Sequence, residues 1–333
     1  KPNSQPRVLL DPNTLSKDGT VSILHFNVSP DGKQVAYTQS QSGSDDHTMH
    51  FLNTETGKIL EDTITGLKTT AATWDPDGKG VIYSKPLPED TLPKDANGLK
   101  HYGTFHHTIG QPESKDKLVY QRLDTLNSYT GGTRLTRSDS WRILYTYSGT
   151  NRENGIALQK SPDSPILALF EPGKAALLPF YRNGDTLYAT TDLNAPRQRI
   201  IAIDINNPAP EHWQTIIPET SDKSKKLVSA RVLDNKLLTI WSTDGSEQIE
   251  TYSLDGKPLA KTGIPIGSSI ALGHAEPTDK TIDLKIMNFL SPGDQYRYTI
   301  ANNSLSLLKK SEIPTDLSQT AEVKRFTATS KDG

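Results

Sequence analysis

Along this chain apolar and polar residues alternate over short runs of five to eight positions, each run bounded by Gly, Pro, Asp or Asn. Period-two alternation of that length predicts half-buried β-strands, and no stretch sustains the 3.6-residue period of an amphipathic helix. The runs also repeat. Val28 to Thr38 reads VSPDGKQVAYT and Thr73 to Ser84 reads TWDPDGKGVIYS, in each case an Asp-Gly turn followed by an alternating strand with an aromatic near its end. Weaker copies follow as SDSWRILYTYS at Asp139, YRNGDTLYATTD at Gly184, VLDNKLLTIWS at Asp234 and EPTDKTIDLKIMN at Thr278. Starting from Asp31 the turns are 46, 62, 45, 50 and 44 residues apart.

A unit near 45 residues holding four short strands is what a β-propeller blade needs, because a single twisted four-stranded sheet buries its faces only against its neighbours. The reading is therefore all-β, a β-propeller with six blades visible. The one long spacing contains Pro86 to Gly103 (PLPEDTLPKDANGLKHYG), whose composition reads as a surface loop. A final strand-like piece is expected over Val323 to Thr329. A doubly wound α/β fold would need helices between the strands, and the pattern offers none.

Composition narrows the functions. The 22 prolines and 23 glycines, about one punctuator every seven residues, exclude a helical bundle. With 37 basic and 39 acidic residues the formal charge is −2, which gives no basic stripe for nucleic acid or anionic lipid. No apolar run is long enough to cross a bilayer as a helix, and a soluble protein is expected, in the cytoplasm or the periplasm. The absence of cysteine removes disulfides, thiolate metal sites and a cysteine nucleophile.

Candidate chemistry is sparse. His101, His106 and His107 lie close in sequence, but neighbours on a strand point to opposite faces, so a structural role is expected rather than a metal site. Asp45-Asp46-His47 follows Ser42-Gly43-Ser44 and reads as a turn between strands. Gly131-Gly132 lacks the Lys and helix start of a phosphate loop, and no Gly-x-Ser-x-Gly nucleophile elbow occurs. No cofactor or metal is expected. A carboxylate pair for glycoside hydrolysis is not readable from sequence, because the separation in space defines it.

Several longer strings carry a resemblance. RVLLDPNTLSKDGT (Arg7 to Thr20), then FNVSPDGKQVAY, SQSGSD and TWDPDGKGVIYS, followed in order by HHTIGQPESKDKLVY, TDLNAP before IIAIDI, and NFLSPGDQYRY, closely resemble the propeller domain of the prolyl oligopeptidases. These are serine peptidases that cleave short peptides after proline. The resemblance implies a seven-bladed propeller inserted ahead of an α/β-hydrolase domain. Residues 1–333 then read as a propeller domain cut at both ends, with 315–333 as an exit segment toward a hydrolase domain absent from this chain. By itself the chain is expected to lack the catalytic Ser-Asp-His triad, and its expected partners are the hydrolase domain of the same parent and short proline-containing peptides. A stand-alone ligand- or protein-binding propeller is the alternative.

The resemblance also implies site residues. Asp45 falls where the family has an aspartate holding a hydrolase-domain arginine that contacts substrate. Thr69 replaces a phenylalanine. Tyr129-Thr130-Gly131-Gly132 replaces Trp-Met-Gly-Gly, which puts Thr130 on the substrate side. Tyr147 stands where an arginine is found, and Thr150 follows the strand-end Gly149. Together they imply an outer substrate pocket that is threonine-lined and more polar than usual.

Overall fold

The repeat turns close for local reasons. At the first, Gly32 takes φ +75°, the Asp31 carboxylate accepts from the Ser29 hydroxyl and the Lys33 N–H, and the Ser29 hydroxyl accepts from the Gln34 N–H at 2.9 Å. At the fifth, Asp234 and Asn235 both have positive φ, the geometry a two-residue hairpin requires. Each of the six repeat turns joins the first two strands of a sheet.

The computed structural model describes residues 7–68, 70–88, 101–124, 128–137, 139–313, 317, 320–326 and 328–331. Among them are six four-stranded antiparallel sheets, each an up-and-down meander in chain order. The first holds β1 (Val21–Val28), β2 (Gln34–Gln41), β3 (His47–Asn53) and β4 (Ile59–Leu67). The second holds β5 (Thr73–Trp74), β6 (Gly80–Pro86), β7 (Tyr102–Thr108) and β8 (Lys117–Tyr120). The third holds β9 (Ser128–Thr133), β10 (Arg142–Ser148), β11 (Asn154–Gln159) and β12 (Ile166–Phe170). The fourth is β13 (Leu177–Asn183), β14 (Thr186–Thr191), β15 (Arg199–Asp204) and β16 (Gln214–Ile217). The fifth is β17 (Lys225–Leu233), β18 (Lys236–Thr243), β19 (Ser246–Ser253) and β20 (Pro258–Thr262). The sixth is β21 (Ser269–Leu272), β22 (Thr281–Asn288), β23 (Ser291–Thr299) and β24 (Ser304–Lys309). Within what the sequence reads as one domain, the chain divides into two compact units, Lys1–Ala175 and Ala176–Gly333, with three sheets each.

Alternation decides which face packs where. In the first unit Ala36, Met49 and Phe51 point toward the second sheet and meet Trp74, Val81 and Tyr83, while Val35, Tyr37 and Leu52 point the other way and meet Leu9, Leu10 and Ile23. In the second unit the cores are almost wholly aliphatic. Leu238, Ile240 and Ile249 pack on Ile282, Leu284 and Ile286, and Ile200 and Ile217 pack on Leu227, Val232 and Trp241. Burying such a side chain fully stabilises by about 1.5–3 kcal/mol before ordering costs.

Two expectations are modified. The described part of Val323 to Thr329 forms no strand, since it pairs with no other segment, although Arg325 lies 3.4 Å from Asp244. Within the expected surface loop Pro86 to Gly103, residues 89–100 lie outside the described set, while Pro86 ends β6 and Gly103 belongs to β7.

Candidate functional site at one end of the first unit

Strand direction brings the expected site residues to one end. The first strands of the three sheets run the same way: Trp74 Nε1 donates to the Asn27 carbonyl at 2.9 Å, and the Thr73 hydroxyl donates to the Gly132 carbonyl at 3.2 Å. Their starts therefore lie together with the β2–β3 and β10–β11 turns and with the end of β6. Asp45 sits in the β2–β3 turn, Thr130 on β9, Tyr147 at the end of β10, and Thr150 in the β10–β11 turn. Thr69 belongs to the β4–β5 connection and lies outside the described residues.

Asp45 is exposed at the tip of a turn built by Ser42 and Gly43, both in the left-handed region. The Ser40 hydroxyl ties the turn by donating to the Ser44 carbonyl at 2.6 Å, and the Ser44 hydroxyl accepts from the Asp46 N–H at 3.0 Å. Beside it, Asp46 pairs with Lys68 at 2.7 Å. That hydrogen bond, with the added charges of Asp46 and Asp45, raises the lysine pKa. Asp45 thus presents a carboxylate beside a cation already engaged by its neighbour.

Thr130 differs from the expectation of a lining residue. It is fully buried, its hydroxyl donating to the Tyr102 carbonyl at 2.7 Å and accepting from the Thr104 hydroxyl at 3.2 Å. The Ser84 hydroxyl donates to its carbonyl, so Thr130 belongs to a network that joins the second and third sheets. Its neighbour Tyr129 is the half-buried side chain on the opposite face of β9. Thr150 is exposed.

Of the side chains that dominate this end, the sequence reading singled out Tyr147 as a site residue but not Tyr102 or Tyr145. Tyr102 and Tyr129 pack with ring centroids 4.8 Å apart, and Tyr145 and Tyr147 stack edge-on at 5.6 Å. Burial and the adjacent Tyr129 and Tyr147 push the Tyr145 phenol up to about 12, and burial also raises Tyr102 and Tyr147. The hydroxyls of Tyr102, Tyr145 and Tyr147 therefore stay protonated near neutrality and can donate or accept. The signal lay in the cross-strand pair Tyr145 and Gly131: a Cβ at Gly131 would lie 2.2 Å from the Tyr145 hydroxyl oxygen, so glycine leaves the space the ring occupies.

The histidines sort as the alternation implies. His101 shares a hydrogen bond with Ser128 at 3.0 Å, His106 meets Asp75 at 2.7 Å, and His107 faces the opposite way toward Asp62 and Asp116. Asp75 also takes Arg134 and Arg142 at 2.7 Å each. Burial opposes its charge, yet His106 and Arg142 hold the Asp75 carboxyl well below the usual carboxylate range. This cluster lies at the end of the unit opposite Asp45. Among the described residues no group of three potential ligands is arranged to hold a metal ion, and no helix is long and apolar enough to cross a membrane.

Six four-stranded meanders of about 45 residues each define a β-propeller. The chain belongs to the family of the prolyl oligopeptidase N-terminal β-propeller domain, which matches residues 1–311. It is 27% identical over 322 residues to a prolyl endopeptidase of Elizabethkingia miricola, covering 93% of this chain and 43% of that protein. A prolyl endopeptidase of Elizabethkingia meningoseptica is 28% identical over 316 residues, 92% of this chain and 43% of that protein. The chain thus spans less than half the length of these curated relatives. A solved prolyl endopeptidase structure superposes with a TM-score of 0.84 at 28% identity, over 94% of this chain and 46% of that one. Prolyl oligopeptidase B of Galerina marginata, bound to a 35-residue hydrolysis and macrocyclization substrate, shares the fold with a TM-score of 0.79 at 22% identity, over 91% of this chain and 44% of that one.

Proposed function

We infer that this chain is the propeller part of a serine endopeptidase that acts on short peptides after proline. In this reading it admits and orients the peptide, and a hydrolase domain of the same protein supplies the nucleophile, base and oxyanion donors. The observation that carries it is the family match over residues 1–311 in a chain covering 43% of prolyl endopeptidase relatives.

Asp45 suits the docking role. An exposed carboxylate on a tied turn can accept both arms of a guanidinium, a charge-assisted geometry that fixes the arginine plane as well as its position. An arginine held in that way orients a peptide carbonyl without itself reacting. Tyr102, Tyr129 and Tyr147 offer amphipathic faces for the peptide body, and exposed Thr150 supplies a hydroxyl at the rim. With Thr130 buried, the polarity of this end comes from tyrosine hydroxyls more than from threonines.

In the protein that joins this chain to its hydrolase domain, Asp45→Asn is expected to lower kcat/KM for a short proline peptide about tenfold with the fold retained, the scale of one lost charge-assisted contact. An unchanged kcat/KM would remove Asp45 from the site. A covalent serine-hydrolase probe is expected to label that whole protein and leave this chain unlabelled, and labelling of the chain itself would overturn the division of labour.

A further inference from the structure

His107 is fully buried on β7 with a carboxylate at each ring nitrogen. Nδ1 lies 2.7 Å from Asp116 Oδ1 and Nε2 lies 3.2 Å from Asp62 Oδ1, while one face of the ring stacks on Phe51 at 5.5 Å. Asp62 is on β4, the last strand of the first sheet, and Asp116 immediately precedes β8 of the second. The imidazole therefore bridges two sheets. A neutral ring donates through one nitrogen only and would turn a lone pair toward the other carboxylate, whereas an imidazolium donates through both. Burial leaves no water to relieve that repulsion, and both carboxylates are themselves almost buried, at 7% and 4% side-chain exposure.

We propose that Asp62, His107 and Asp116 form a pH-sensitive latch between the first two sheets, closed while the ring carries two protons and released when it loses one. The charged surroundings agree. From β6, the Tyr83 hydroxyl donates to Asp116 Oδ2 at 2.7 Å, so it supports the carboxylate. The 3-10 turn before Asp116 carries Glu113, which Lys85 neutralises and which accepts from the Thr65 hydroxyl at 3.1 Å. No cation among these groups faces the ring, and two carboxylates do. Burial by itself would lower the ring's pKa, but Asp116 and then Asp62 more than offset it, raising the pKa above the ordinary 6.5.

The sign follows from linkage. A group whose folded pKa is raised contributes stability that is fully present below its unfolded value near 6.5 and is lost as pH rises through the folded value. The latch is thus closed on the acid side of 6.5 and opens as pH rises through the folded value. What it holds is β4, which runs directly into Lys68, the partner of Asp46 beside Asp45. Release at one end of β4 reaches the candidate site through the other.

Two measurements on this chain test it. Ring nitrogen NMR of His107 at pH 6 is expected to show both nitrogens protonated; a neutral ring there would overturn the latch. Hydrogen exchange of the β4 amides, followed from pH 6 to pH 10 and corrected for intrinsic base catalysis, is expected to show about tenfold more added opening in the wild type than in Asp62→Asn, the scale of one lost charge-assisted hydrogen bond. Equal pH dependence in the two proteins would also overturn it. The wild-type ring measurement stands whether or not a His107 variant folds.

Discussion

The two ends of the first unit are built from opposite materials. At the end that carries the Asp-Gly turns, charges are buried and locked. Arg142 is 1% exposed and shares Asp75 with Arg134 and His106, and His107 is fixed between two carboxylates. At the other end the side chains are hydroxyls and tyrosines, and the charges of Asp45, Asp46 and Lys68 stand at or near solvent. Buried ion clusters lose much when one partner is removed, while exposed ones contribute little. The contrast assigns registry to one end and leaves the other free to change its partners, which is what a binding end requires.

Breaking the locked end has the largest expected effect. Arg142→Ala leaves Asp75 buried with one guanidinium fewer and should cost about 3–5 kcal/mol in denaturant unfolding. A cost below about 1 kcal/mol would show that the cluster does not hold the sheets. Next comes Gly131→Ala at the tyrosine end, where the new methyl displaces the Tyr145 ring; overpacking of this kind costs about 1–3 kcal/mol, measured as a lower Tm. Peptide affinity of the whole protein should fall with it if the tyrosines line the site.

Acid sharpens the comparison further. Because the Asp75 pKa is depressed below 3.8, its stabilising effect is present above that value and is lost as pH falls below it, by up to about 1.4 kcal/mol per pH unit. Stability measured from pH 5 to pH 2 should therefore decline more steeply in the wild type than in Asp75→Asn, and parallel slopes would refute this. The smallest effect belongs to the exposed rim, where Thr150→Ala should change stability by no more than about 0.5 kcal/mol and act, if at all, on KM.

How much of this was readable in advance can be argued from particular residues. Asp31-Gly32, Asp77-Gly78, Asn183-Gly184 and Asp234-Asn235 announce hairpins because only a few residue types tolerate positive φ, so turn chemistry is written locally. The opposite directions of His106 and His107 follow from strand alternation alone. Asp45 is likewise legible as a turn residue. Thr130 was not: its position on β9 could be aligned, but whether its hydroxyl faced a ligand or the Tyr102 carbonyl depended on how the neighbouring sheet sits. The pairing of Tyr102 with Tyr129 escaped for the same reason, since they are 27 residues apart and meet only through packing of the second sheet on the third.

By itself, then, the sequence determined what depends on short-range geometry: strands, hairpin turns, the six-fold repetition and the family strings in their order. Only the tertiary structure decided which carboxylate each histidine meets, which arginines share Asp75, and which aromatic rings pack together at the Asp45 end. The physical reason is range. Backbone conformation is set by steric and hydrogen-bonding preferences over a few residues, whereas charge pairing, burial and ring stacking are set by atoms brought within a few ångströms from strands tens of residues apart.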